Sequence, residues 1–198
     1  MVKPCGGHSA EEIERIALDL QQEYTRACAE LEELYPGEDM ERVDEIWNVR
    51  WDVWSEVLGT GGSRVVVGLC RQHALKVDLN GYSEAGRSVQ NDREWAIWQK
   101  AESELKALLC PILEQGASQG VNWLLMARCQ KIEKLVPETM QLAYRVRGIN
   151  DMEDYREDLG GIGWLTDNWG VFEGRQVLLD YGDSEPDEVY MEPASKEV

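Results

Sequence analysis

Near the start of the chain, apolar residues recur at helical spacing. Ile13, Ile16, Ala17, Leu20, Tyr24, Ala27, Leu31 and Leu34 fall on one stripe, which predicts an amphipathic helix with an acidic outer face. Ser9 and Glu12 read as a capping box at its start, and Pro36-Gly37 ends it. Met40, Val43, Trp47, Trp51 and Trp54 fit a second helix. Its tryptophan stripe suits core packing, and an aromatic face also suits a partner surface.

From Trp54 the period changes. "VWSEVLG", "RVVVGLC" and "HALKVDL" are short strand-like runs broken by "GTGG" and "RQ". "RSVQNDREWAIWQKAESELKAL" reads as helix, with Val89, Ile97, Leu105 and Leu108 among its apolar positions. "CPILEQGASQGVNWLLMARC" reads as strand, glycine-bearing turn, strand. "VPETMQLAYRVRG" and "DMEDYREDL" are short helix candidates, and "NWGVFEGRQVLLDYG" is a hairpin turning at Glu173-Gly174. The tail "DSEPDEVYMEPASKEV" is acidic, carries two prolines and reads as disordered or loosely docked. The expected division is a helical extension over 1–55, a domain over 56–182 and an acidic tail over 183–198.

Composition narrows the partners. With 198 residues, 43% of them hydrophobic, and eight tryptophans, the chain can bury a real core in one domain plus an extension. A formal net charge of −18 repels phosphate backbones and anionic membranes. Neither direct nucleic-acid nor membrane contact is expected. A protein partner with a basic surface remains open, as does a mimic of DNA charge; solubility alone also accounts for the acidity. Cys5, Cys28, Cys70, Cys110 and Cys129 form no C-x-x-C, so buried reduced thiols in a cytoplasm are the default expectation. "MVKPCGGHSAEE" has no apolar signal-like region, and no run approaches the roughly 18 apolar residues of a membrane helix. His8 and His73 are far apart and receive no metal or catalytic role.

The chemistry is concentrated in "LGTGGSRVVVGLCRQHALKVD", Leu58 to Asp78. Gly59, Gly61 and Gly62 form a turn that lets backbone approach phosphates because no Cβ intrudes. Lys76 follows in a strand, and a buried strand lysine needs a carboxylate partner. Glu94, eighteen residues on in a helix, is the candidate. Asn168 and Asp180 stand twelve apart on either side of a hairpin, a pair of hard oxygen donors suited to Mg²⁺.

Glycine turn, strand lysine, helix glutamate and Asn…Asp-Tyr-Gly, in that order, resemble the protein-kinase signature. The chain is similar to small kinase-like proteins carried by bacteriophages. Leu58-Gly59-Thr60-Gly61 with Val66 resembles the glycine-rich loop, although Arg64 occupies the third glycine position. "ALKV" resembles V-A-I-K, which implies a phosphate role for Lys76 and a partner role for Glu94. "LLMARC", including Met126, resembles the strand and hinge that read an adenine edge. "DNWGV" resembles the end of the catalytic loop, making Asn168 a metal ligand. Asp180-Tyr181-Gly182 resembles D-F-G, with Asp180 the main metal ligand. The resemblance covers about Glu56 to Gly182.

Two departures qualify what it implies. The catalytic aspartate should stand five before Asn168, where this chain has Gly163; Asp158 and Asp167 are the nearby stand-ins. Only sixteen residues follow Gly182, which leaves no room for a substrate platform. The resemblance therefore implies an α+β kinase-like fold: an antiparallel five-stranded sheet, a Glu94 helix, a helical N-terminal extension and a truncated C-lobe. The implied function is a catalytically impaired pseudokinase with residual ATP and Mg²⁺ binding, regulating a partner protein in the cytoplasm (the host's, for a phage protein). An active small ATP-dependent phosphotransferase is the first alternative. An acidic inhibitor or DNA mimic using the fold as a scaffold is the second. Lys76 and Glu94 can also be a structural pair with no ligand.

Overall fold

A computed structural model describes residues 8–34, 56–60, 64–79, 89–149, 167–182 and 184–193. The second predicted helix with Trp47, Trp51 and Trp54, the "DMEDYREDL" segment, Gly61, Gly62, Asp158 and Gly163 lie outside them. The chain forms two compact units. The first comprises Met1–Asn91 and Leu113–Met126, the second Asp92–Ile112 and Ala127–Val198.

In the first unit, helix α1 (Ala10–Leu34) starts as predicted, with the Glu12 amide donating to Ser9 Oγ at 3.2 Å. Strands β1 (Val57–Thr60), β2 (Arg64–Gly68), β3 (His73–Asp78), β4 (Ile112–Ser118) and β5 (Val121–Ala127) make one sheet in the order β1-β2-β3-β5-β4. Antiparallel register pairs Val65 with Val77 and Val67 with Leu75. These four join Ile13, Ala17, Leu20, Tyr24 and Ala27 of α1, with Val121 and Trp123, in one core. The predicted stripe of α1 thus covers one face of the sheet. Residues of opposite parity, Arg64, Val66, Lys76 and Asp78, belong to the other face, because side chains alternate along a strand. Gln119 and Gly120, with φ of 49° and 83°, turn β4 into β5; two consecutive positive φ values match the right-handed twist of a tight hairpin.

The second unit is built from short pieces. Helix α2 (Gln90–Lys100) crosses from the first unit into it and is followed by a single turn, α3 (Ser103–Lys106). The expected long helix is therefore interrupted at Ala101-Glu102. Ile97, Leu105 and Leu108 are buried, whereas Val89 precedes the helix and is 46% exposed, against its assignment to the apolar face. Strands β6 (Gln130–Lys131), β8 (Trp169–Phe172) and β9 (Arg175–Leu178) pair in the order β6-β8-β9. The β8–β9 turn falls on Glu173-Gly174, as predicted, with both φ positive. Helix α4 (Pro137–Ala143) begins with proline, which suits the first helical turn.

Two expectations are corrected here. The tail docks over residues 184–193: β10 (Tyr190–Met191) pairs with β7 (Val146–Arg147). Ion pairs Arg93–Glu185, Lys100–Asp187 and Arg147–Glu192 reinforce it. The Glu192 amide donates to the Arg145 carbonyl at 2.8 Å, and Arg145 Nε returns a bond to the Glu192 carbonyl at 2.9 Å. Acidic composition predicts solvation; it does not register that the basic partners Arg93, Lys100 and Arg147 stand outside the tail. Cys70 is disulfide-bonded and fully buried, against the expectation of reduced thiols throughout; sequence spacing carries no information on which sulfurs meet in space.

Candidate functional site

In the first unit, three motif residues share one row. Gly59 on β1 pairs with Val66 on β2, and Val66 pairs with Lys76 on β3. Residues directly opposite across strands present the same face, and this is the face away from α1. The glycine, the valine of the loop motif and the lysine are thereby aligned across three strands. A Cβ added at Gly59 would meet no described atom within 4 Å, so neither packing nor φ requires glycine there. Lys76 is 3% exposed, so its ammonium is buried. Arg64, at the third glycine position, opens β2, is buried and faces the fully buried Asp78. Thr60 and Arg64 are the described residues on either side of Gly61 and Gly62.

Asn91 fixes the backbone behind the lysine. Its side-chain amide donates to the Lys76 carbonyl and to the Asn122 carbonyl, both at 3.3 Å. Asn91 is fully buried, and it joins β3 to β5 at the level of Lys76. Nothing in the apolar pattern marks this residue; a polar side chain inside a helical run is the single trace it leaves. Met126, near the end of β5, is buried.

In the second unit, closure of the β8–β9 hairpin brings together the ends that carry Asn168 and Asp180. Trp169 pairs with Leu178, and the Leu179 amide donates to the Asn168 carbonyl at 2.7 Å. Asp180 follows directly. Glu94 is fully buried on α2 and accepts a hydrogen bond from the Tyr181 amide at 3.3 Å. The Tyr181 hydroxyl donates to the Cys110 carbonyl at 3.4 Å. Burial pushes that phenol well above its usual range, and the negative charges of Glu94 and Asp180 add to the effect. Asp167 is exposed in the turn before β8. Four sequence-designated elements, Glu94, Asn168, Asp180 and Tyr181, thus belong to one unit, while Gly59, Lys76 and Met126 belong to the other.

Among the described residues no three His, Cys, Asp or Glu side chains group in a way that could hold a metal ion. The hard donors that fit Mg²⁺ are the Asn168 amide oxygen and the Asp180 carboxylate, a pair that would leave most of the coordination sphere to phosphate oxygens and water. No helix among the described residues is long and apolar enough to cross a membrane. Compared with known proteins, the chain matches no family model and no curated protein.

Proposed function

We propose that this chain is a kinase-like protein that binds Mg²⁺-nucleotide, is impaired in phosphoryl transfer and acts by regulating a protein partner. The observation that carries the reading is the Gly59–Val66–Lys76 row. A loop glycine, a valine and a strand lysine aligned on one sheet face are what a phosphate cradle needs: close backbone approach, an apolar cover and a cation. The lysine is on the third strand, the structural context the V-A-I-K motif requires. The Asn168–Asp180 hairpin end supports the same reading by its donor chemistry, with Mg²⁺, when bound, neutralising phosphate charge.

Impairment follows from Gly163 at the position five before Asn168; glycine can neither accept a hydroxyl proton nor orient a nucleophile. The charge-mimic alternative draws less support, because tail carboxylates Glu185, Asp187 and Glu192 are engaged by Arg93, Lys100 and Arg147. A basic partner surface remains the proposed complement to the net charge of −18.

The test is thermal unfolding with ATP, with and without Mg²⁺, in wild type, Asp180→Asn and Asn168→Ala. The expected result is Mg²⁺-dependent stabilisation in wild type that is lost in Asp180→Asn and reduced in Asn168→Ala. Equal stabilisation in all three, or none at millimolar ATP, refutes the nucleotide site.

A further inference from the structure

Two free cysteines meet in the second unit. Cys110 Sγ and Cys129 Sγ lie 3.5 Å apart, although nineteen positions separate them in sequence. Cys110 precedes β4 by two residues and Cys129 follows β5 by two. Their backbones are held from both sides. The Cys110 amide donates to the Leu178 carbonyl, and the Ala127 amide to the Pro111 carbonyl, each at 2.9 Å. Gly170 of β8 backs onto Cys129: a Cβ there would stand 2.6 Å from the Cys129 Cβ. The close approach of the two sulfurs is therefore a built arrangement.

The two thiols differ in kind. Cys110 is fully buried and its Sγ lies 3.3 Å from the Ala127 carbonyl. Cys129 is partly exposed. Its pKa is lowered by its side-chain hydrogen bond with Cys110, against the opposing effect of burial. A reachable thiol of raised thiolate content beside a buried one is the arrangement of an attacking and a resolving cysteine.

We propose that Cys110 and Cys129 are a redox pair, oxidised by hydroperoxides to a disulfide that fastens the open end of the β4–β5 hairpin, and restored by dithiols. In the first step the Cys129 thiolate attacks a peroxide oxygen. The O–O bond breaks, Cys129 becomes a sulfenic acid, and the leaving oxygen departs as alcohol or water with the proton Cys129 gave up. In the second step the Cys110 sulfur attacks Cys129 Sγ, the S–O bond breaks, and water leaves with the Cys110 proton. Two thiols lose two electrons and the peroxide gains them. A disulfide needs the sulfurs at about 2.05 Å, so the pair closes from its observed 3.5 Å contact as the bond forms. This inference uses none of the nucleotide residues and stands whether or not nucleotide binds.

The experiment treats the full-length protein with hydrogen peroxide, blocks remaining thiols by alkylation and maps tryptic peptides. Cleavage after Lys106, Arg128 and Lys131 puts Cys110 in 107–128 and Cys129 in 129–131. The expected product joins these two peptides, lighter by two hydrogens than their sum. Alkylation of both thiols is lost and returns after dithiothreitol. In Cys110→Ser, Cys129 stops at the sulfenic acid and is trapped by dimedone. The proposal is overturned if both thiols still alkylate after excess peroxide. It is equally overturned if Cys129 runs on to sulfinic acid while Cys110 stays free, or if Cys129 links to another cysteine.

Discussion

The two units hold together by different means. In the first, α1 and the sheet share a dry core in which Leu20, Val65, Leu75 and Val77 have no exposed surface. The second also buries apolar residues such as Ile97, Leu109, Trp169 and Leu178, but its short strands and helix turns are tied in addition by side chain-to-backbone bonds and by ion pairs at the surface. Gln176 of β9 accepts from the Val136 amide at 2.8 Å and donates to the Lys134 carbonyl at 2.7 Å; Arg145 grips both Glu104 oxygens at 2.5 and 2.9 Å. Apolar burial is nondirectional and proportional to area, whereas these ties are local, directional and weakened by solvent. The second unit should therefore loosen first when its surface charges are altered.

The largest effects are expected in the first unit. Leu20→Ala should lower unfolding stability by about 3 kcal/mol, since it removes buried methyl groups and leaves a cavity; urea denaturation would show a lower midpoint with an unchanged slope.

Smaller effects belong to the second unit. Gln176→Ala should cost about 1–2 kcal/mol by removing two backbone ties ahead of α4. Glu192→Gln should change global stability by less than about 1 kcal/mol. Amide hydrogen exchange at the β7–β10 pair should nevertheless accelerate, while exchange in β2 and β3 stays unchanged. Acid should act the same way. Lys100 holds the Asp187 carboxyl, and Arg145 the Glu104 carboxyl, below the usual range, in each case chiefly through the side-chain hydrogen bond. A depressed folded pKa contributes stability that is complete above the ordinary carboxylate range near pH 4 and is lost as pH falls. Tail docking should weaken below that point before the sheet does. Tyr181 works in the opposite sense: its raised pKa makes stability decline as pH climbs beyond about 10, the unfolded phenol's range. Tyr181→Phe should flatten that alkaline decline.

The same contrast explains what the sequence revealed. The stripe Ile13, Ala17, Leu20, Tyr24 and Ala27, the alternation in β2 and β3 and the Glu173-Gly174 turn were legible because periodicity and turn chemistry act over a few residues. The kinase resemblance designates Lys76, Glu94, Asn168 and Asp180 as an ordered set; the structure places Lys76 in one unit and the other three in the other. Three features were not legible. Asn91 acts through two carbonyls, 15 and 31 positions away. The docked tail depends on Arg93, Lys100 and Arg147, brought to it only by folding. The Cys110–Cys129 contact joins residues that no spacing rule pairs. Each is a polar contact between distant segments, and local pattern carries no record of such contacts.

The most direct test of the kinase-like reading is calorimetric titration of Mg²⁺-ATP into wild type, Lys76→Ala and Gly59→Ala. Gly59→Ala is informative because its added methyl meets no described neighbour within 4 Å, so lost binding there reports a ligand and not a damaged fold. The row of Gly59, Val66 and Lys76 predicts saturable binding in wild type, weakened at least about tenfold, or 1.4 kcal/mol, in both variants. Binding that is absent at millimolar nucleotide, or unchanged in the two variants, would contradict it and leave Lys76 a structural cation.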